Sequence, residues 1–216
     1  MNHSTLWIIR HGETDWNVAG RLQGQLEVPL NANGRSQAER LANRLAAEHQ
    51  RVHFAAIYAS DLGRAMETAS AAGSALQLSV TPRVELRERH FGVLAELTMA
   101  EMEVKHPELF GHLRARDPHF VPSGGESLMQ TFDRSVAAIT KIASEWPGAQ
   151  VVVVTHGGVL DSVWRHAKKL PLNVRREHDI HNTSVNVVRV SGDQFELTTW
   201  NDVAHLSPSP FGRGSG

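Results

Sequence analysis

The chain has 216 residues, no cysteine, and 22 Lys+Arg against 23 Asp+Glu. That length suits one α/β domain with a generous core, and the near-neutral charge gives no field to draw nucleic acid or a membrane surface. The lack of cysteine excludes a disulfide framework, thiol chemistry and thiolate metal sites. No basic-then-apolar leader precedes Leu6 and no apolar run approaches a membrane span, so a soluble cytoplasmic protein is expected.

Residues 5–10 predict a first strand. A polar loop follows through Asn33, with turns marked by Gly20, Gly24, Pro29 and Asn31. Ala38, Leu41, Ala42 and Leu45 have helical spacing and predict a helix from Gly34 to Glu48. Phe54–Tyr58 predicts a second strand ending at Ala59-Ser60. Asp61 is placed to cap the alanine-rich helix that runs to about Leu76. Leu78-Ser79-Val80 suggests a third strand. Residues 90–125 lack sheet periodicity and carry Pro107 and Pro118, which predicts an inserted cap laid over the sheet edge. Glu126 to Trp146 reads as a helix with Leu128, Phe132, Val136, Ile139 and Ile142 on one stripe. Val151–Val154 is a fully apolar strand, followed by a helix from Val159 to Lys168. Ser184–Val190 and Gln194–Trp200 alternate around Ser191-Gly192-Asp193, a hairpin signal.

Strands alternating with helices predict a three-layer α/β/α sandwich with a mostly parallel central sheet and the hairpin at an edge. Residues 1–206 are expected to form one catalytic domain. From Ser207 onward Pro, Gly and Ser dominate, which predicts a disordered tail at 207–216.

Two short words carry chemistry: Arg10-His11-Gly12-Glu13-Thr14 and Thr155-His156-Gly157-Gly158. Each follows an apolar strand, and ligands of open α/β sheets bind outside the carboxyl ends of the strands. Two imidazoles and an arginine are thereby aimed at one cleft. A neutral histidine is a competent nucleophile, and an adjacent guanidinium can hold a phosphoryl or carboxyl group by paired donors. Arg64 falls in the first turn of its helix, where backbone donors already favour an anion. Glu88 either reaches the cleft as a proton carrier or belongs to the surface charge run Glu85 to Arg89. Gly157 and Gly158 permit close backbone approach.

Taken together, Arg10-His11-Gly12, Asn17, Ser60-Asp61-x-x-Arg64-Ala65-x-x-Thr68-Ala69, Leu86-x-Glu88-x-x-Phe91-Gly92 and the late His156-Gly157 resemble the histidine phosphatase superfamily, which includes cofactor-dependent phosphoglycerate mutase and its phosphatase relatives. The resemblance spans residues 5–205. It implies a transient phosphohistidine at His11 and a phosphate pocket of Arg10, Arg64 and His156. Asn17 then assists, Glu88 donates the proton, and no metal or cofactor takes part. The mutases carry a lysine about a dozen residues after the acidic Glu; here that position falls at Met99 or Ala100. Arg21-Leu22-Gln23-Gly24 is similar to the R-x-Q-G of the phosphatases, which implies substrate contacts at Gln23, Gly24 and Gly157. His-Gly-Gly-Val-Leu also replaces the H-G-N-S of the mutases. The implied activity is hydrolysis of small phosphorylated metabolites.

Three alternatives stay open: a cofactor-dependent phosphoglycerate mutase, a catalytically inactive module that binds phosphorylated ligands, and a metalloprotein drawing on the 13 histidines. Against the last, no pair at H-x-x-x-H or H-E-x-x-H spacing lies within an apolar stripe. A homodimer is also left open. Trp16, in the loop after His11, is a candidate for the pocket wall. His90, His112, His119 and His205 carry no assignment.

Overall fold

A computed structural model describes residues 3–207; the rest of the expected tail lies outside the described residues. Six strands form one sheet: β1 (Ser4–Arg10), β2 (Phe54–Ala59), β3 (Val80–Pro82), β4 (Gln150–Thr155), β5 (Val185–Ser191) and β6 (Gln194–Asp202). Their order is β3-β2-β4-β1-β5-β6. The first four are mutually parallel, whereas β5 and β6 run antiparallel and end the sheet as a hairpin. β1 and β4 are central, which accounts for their unbroken apolar sequence: both faces are covered. Leu6, Ile8, Val151 and Val153 pack on one side with Ile139, Ile142, Leu160 and Val163. Trp7, Ile9, Val152 and Val154 pack on the other with Leu41, Leu45, Ala65 and Ala69.

Those partners come from four long helices. α2 (Ala32–Val52) and α3 (Gly63–Leu76) cover one face, after a short α1 (Asp15–Val18) in the first loop. The small α4 (Met99–Lys105) and α5 (Pro107–Arg114) lie in the cap. α6 (Leu128–Glu145) and α7 (Gly157–Lys168) cover the second face. The three-layer arrangement is the predicted one.

Local differences have local causes. α2 starts at Ala32 because the Asn31 side chain accepts the Gly34 N–H at 2.8 Å, an N-cap in the middle of an apparent loop. Asp61 does not cap α3. Leu62 holds that position without a side-chain bond, and Asp61 instead meets the Arg87 guanidinium at 2.6 and 2.7 Å. α1, too short for periodicity, is closed by a capping box between Thr14 and Asn17. β3 pairs with β2 through Ile57↔Val80 and so begins two residues later than expected. The cap meets the sheet at the active-site end. Met99, Leu113 and Arg116 share a cavity with Arg10 and His11, over the carboxyl ends of the strands.

The first loop is pressed against the start of α2 with no room for a side chain. A Cβ on Gly34 would fall 2.0 Å from the Glu13 carbonyl oxygen and 2.7 Å from the Glu13 nitrogen, both backbone. Gly34→Ala is therefore expected to destabilise the protein by about 1–3 kcal/mol, read as a lower urea midpoint at unchanged slope. An unchanged midpoint would show that this packing is not required.

Candidate active site

β1 and β4 are parallel neighbours in the register Arg10↔Thr155. The next residue of each strand is a histidine, so His11 and His156 leave the sheet side by side. Their ring centroids are 5.1 Å apart, and the His11 N–H donates to the Thr155 carbonyl. Both rings are buried.

The His11 ring is set in one tautomer by its own loop. Nδ1 lies 2.7 Å from the Gly12 carbonyl oxygen, which only accepts, so Nδ1 carries the proton and Nε2 keeps its lone pair. Burial holds the His11 pKa well below 6.5, and Arg64 and Arg10 lower it further against the Gly12 bond. Burial likewise holds His156 well below 6.5, with Arg64 the next cause. Both ring nitrogens of His156 lack a partner among the described residues.

Two guanidiniums flank the pair. Arg10, the last residue of β1, donates from Nη1 to the Ile180 carbonyl at 2.6 Å. Arg64, on the first turn of α3, donates to the Leu26 and Gly24 carbonyls at 2.8 and 2.7 Å, which ties down the loop that carries Gln23 and Gly24. Each keeps a buried Nε–H without a partner among the described residues. Burial pushes Arg10 down to about 10; Glu88 opposes this, while Arg176 and Arg64 add to it. Thr68 joins α3 to the histidine loop by accepting the Gly12 N–H and donating to the Arg64 carbonyl.

Glu88 reaches the site and is not part of a solvated charge run. Its Oε2 accepts the Gly158 N–H at the start of α7 at 3.0 Å, and Oε1 accepts the Arg89 N–H at 2.7 Å. The carboxylate thus rests on a helix N-terminus. Arg134 holds the segment behind it, donating to the carbonyls of Glu85 and Arg87 at 2.9 and 2.8 Å while paired with Glu126.

These groups share a cavity of about 590 Å³. Arg10, His11, Arg64 and Glu88 line it, and Asn17, Gln23, Gly24 and Gly157 join them. His156 is absent from the wall and lies fully buried beside His11. Trp16 is not among the lining residues, nor are the four unassigned histidines. His49 and His53 do stand four apart, yet they form no helical ligand pair. His53 is the C-cap of α2 with φ 50°, and His49 Nδ1 accepts the Phe54 N–H.

Sequence reasoning missed Asn182, whose Nδ2 donates to the His11 carbonyl at 2.9 Å and to Asn17 Oδ1 at 3.2 Å. It precedes β5 in an irregular polar run, so no periodicity singles it out. Arg116, Arg165, Arg175 and Arg176 also line the cavity and were missed, because none of them belongs to a motif or a periodic pattern.

A neutral imidazole with a free lone pair, flanked by buried cationic donors and faced by a carboxylate, is equipped to take up a phosphoryl group and to move a proton at its leaving oxygen. That makes the molecule a phosphoryl-transfer enzyme of the α/β class. The Histidine phosphatase superfamily (branch 1) matches residues 6–203, and the chain belongs to that family. It is 39% identical to "Phosphoglycerate mutase-like protein 4" of Arabidopsis thaliana, over 98% of this chain and 90% of that protein. It is also 39% identical to "Metal-independent phosphoserine phosphatase" of the same plant, over 94% and 84%. The solved structure of Bacillus stearothermophilus YhfR superposes with a TM-score of 0.84 at 34% identity, covering 94% of this chain and all of that one.

Proposed function

We propose that the chain is a phosphomonoester hydrolase acting on small phosphorylated metabolites through a phosphohistidine at His11. The observation that carries this reading is the His11 ring, held as the Nε2 lone-pair tautomer by the Gly12 carbonyl and bordering a cavity with a carboxylate and two guanidinium N–H groups that have no partner among the described residues.

In the first step His11 Nε2 attacks phosphorus in line, and the ester P–O bond breaks. Arg10 and Arg64 donate to the equatorial oxygens with Asn17 assisting, and His156, buried beside His11, donates from behind through a ring nitrogen that has no partner among the described residues. Glu88, protonated, gives its proton to the departing alkoxide. In the second step the Glu88 carboxylate takes a proton from water as it attacks the phosphohistidine. Inorganic phosphate leaves and His11 returns to its neutral form. Gln23, Gly24 and Gly157 contact the substrate.

Water as the second acceptor distinguishes this from a mutase. The mutases' lysine position falls at Met99 or Ala100, and Met99 lines the cavity with an apolar chain, which supports the hydrolase reading.

In this scheme arginine supplies the positive charge, and neutral histidine and backbone N–H groups supply further donors. Among the described residues no three His, Cys, Asp or Glu side chains are gathered to hold a metal ion. Hydrolysis of p-nitrophenyl phosphate is expected to proceed at full rate after dialysis against EDTA. A rate that returns only with added divalent cations would overturn the scheme. No helix among the described residues is long and apolar enough to cross a membrane, and the reading places the enzyme with the soluble metabolites of the cytoplasm.

A further inference from the structure

The cavity is far more cationic than one phosphate requires. Eight arginines line it against two carboxylates, Glu88 and Asp161, in a chain with a formal net charge of −1. Most of these cations have defined work. Arg10 and Arg64 face the phosphoryl position. Arg21 meets Glu101 at 2.7 Å. Arg89 donates to the Glu126 and Phe120 carbonyls and lies over the Phe91 ring. Arg116 and Arg165 share one oxygen of Asp161, at 3.0 and 2.9 Å, so that carboxylate is already committed twice.

Arg175 and Arg176 remain. They lie in the connection between α7 and β5, are exposed, and line the same cavity as His11. Among the described residues neither makes an ion pair or a side-chain hydrogen bond. Glu177 and Asp179, their neighbours in sequence, are not part of the cavity wall. Arg176 is near enough to act on Arg10 at the floor and on Arg116 of the cap. Met99 and Leu113 line the same cavity and offer no counter-charge.

We infer that Arg175 and Arg176 form a second anion subsite, and that the preferred substrate is a phosphomonoester whose alcohol half carries its own acidic group, a carboxylate or a second phosphate. The inference rests on the phosphatase reading for the orientation of the substrate: phosphate at His11, acidic group toward the α7–β5 connection. Two guanidiniums without protein partners, on a cavity that Arg10 and Arg116 also line, favour an anion there. Placing them at the mouth of a cleft also raises the on-rate of an anionic substrate and makes it salt-dependent.

A matched pair of ligands reads the subsite directly. 3-Phosphoglycerate and glycerol 3-phosphate share a three-carbon skeleton and differ at the far end, carboxylate against hydroxymethyl. Binding is measured by calorimetry on the 216-residue chain carrying His11→Ala, so that turnover does not intervene. kcat/KM is measured in parallel on the wild-type chain. The carboxylate ligand is expected to bind ~10-fold tighter than its neutral partner, the value of a charge-assisted hydrogen bond. Arg175→Ala/Arg176→Ala is expected to reduce that ratio to near one, and Arg175→Lys/Arg176→Lys to keep part of it. 1,3-Propanediol bisphosphate, as a second-phosphate arm, is expected to show the same loss. A ratio near one in the parent protein, or a ratio unchanged by the double alanine variant, overturns the subsite. If the wild-type chain hydrolyses neither ester nor p-nitrophenyl phosphate, the phosphatase reading fails, and the calorimetric ratio still decides the subsite by itself.

Discussion

His11→Ala is expected to lower kcat for phosphomonoester hydrolysis by roughly 10³-fold or more, because removal of the attacking atom leaves only charge stabilisation and binding. The wild-type chain, mixed briefly with substrate and quenched in alkali, should carry a phosphoryl group that survives base and is lost in acid, as expected of a phosphoramidate on nitrogen. The variant should carry none. Label on a serine, or undiminished turnover by the variant, would sink the assignment. The low pKa of His11 gives this prediction a pH signature. Held well below 6.5 by burial and then by Arg64 and Arg10, the ring is already neutral at pH 7 and stays nucleophilic into the mildly acidic range. No loss of the first step is therefore expected from protonation of His11 between pH 7 and 6. The same shift has a cost in stability. Below about 6.5 the unfolded chain protonates His11 and His156 and the folded chain does not, so the unfolded state binds more protons. Their contribution is complete above 6.5 and is lost as pH falls toward the folded-state values. In His11→Ala the urea midpoint should depend less steeply on pH across that window.

The strand ends were legible in the sequence because two different signals fall together there. Val151–Val154 is apolar on both faces and so reads as a central strand, and His156 stands one residue past its end. Once β1 and β4 are taken as neighbours, the meeting of the two histidines follows from register alone. Arg64 was legible for the same reason, as a cation in the first turn after β2. What could not be read is what depends on side-chain reach across the chain. Asp61 sits where a cap belongs, yet the Arg87 guanidinium competes for it and wins. Asn182 acts on a carbonyl 171 residues away, and no local pattern encodes that distance. The cap was recognised by its lack of sheet periodicity, but not the cavity that it shares with Arg10 and His11. Its bridges Arg21↔Thr98 and Phe91↔Gly125 join irregular segments whose pairing has no alternation to announce it. Arg175 and Arg176 gain meaning only when the cavity that they border is known.

Glu88→Gln is expected to separate substrates by their leaving groups. An alkoxide is a poor leaving group and needs a proton as the ester bond breaks, whereas p-nitrophenolate leaves unaided. Because general acid catalysis supplies about 10²–10⁴-fold, kcat/KM for an alkyl phosphate should fall by that range. For p-nitrophenyl phosphate the same parameter should fall by less than about tenfold, since it reads the enzyme only through ester cleavage. The second step tells a complementary story. Glutamine cannot take a proton from water, so hydrolysis of the phosphohistidine slows for every substrate alike. With p-nitrophenyl phosphate the variant should then release a burst of nitrophenolate close to one equivalent and accumulate phosphorylated His11. Gly158→Ala reaches the same carboxylate from its other side. The added Cβ would fall 2.1 Å from Glu88 Oε1, the far end of a flexible side chain, so the protein should fold normally with Glu88 displaced, and it should repeat the leaving-group pattern in weaker form. If instead Glu88 only braces Arg10, Arg64 and Arg89, whose guanidiniums it does influence, its loss disturbs the phosphate clamp shared by all substrates. Equal losses in kcat/KM for both leaving groups, with no burst, would remove Glu88 from the proton transfer and leave it a structural counter-ion.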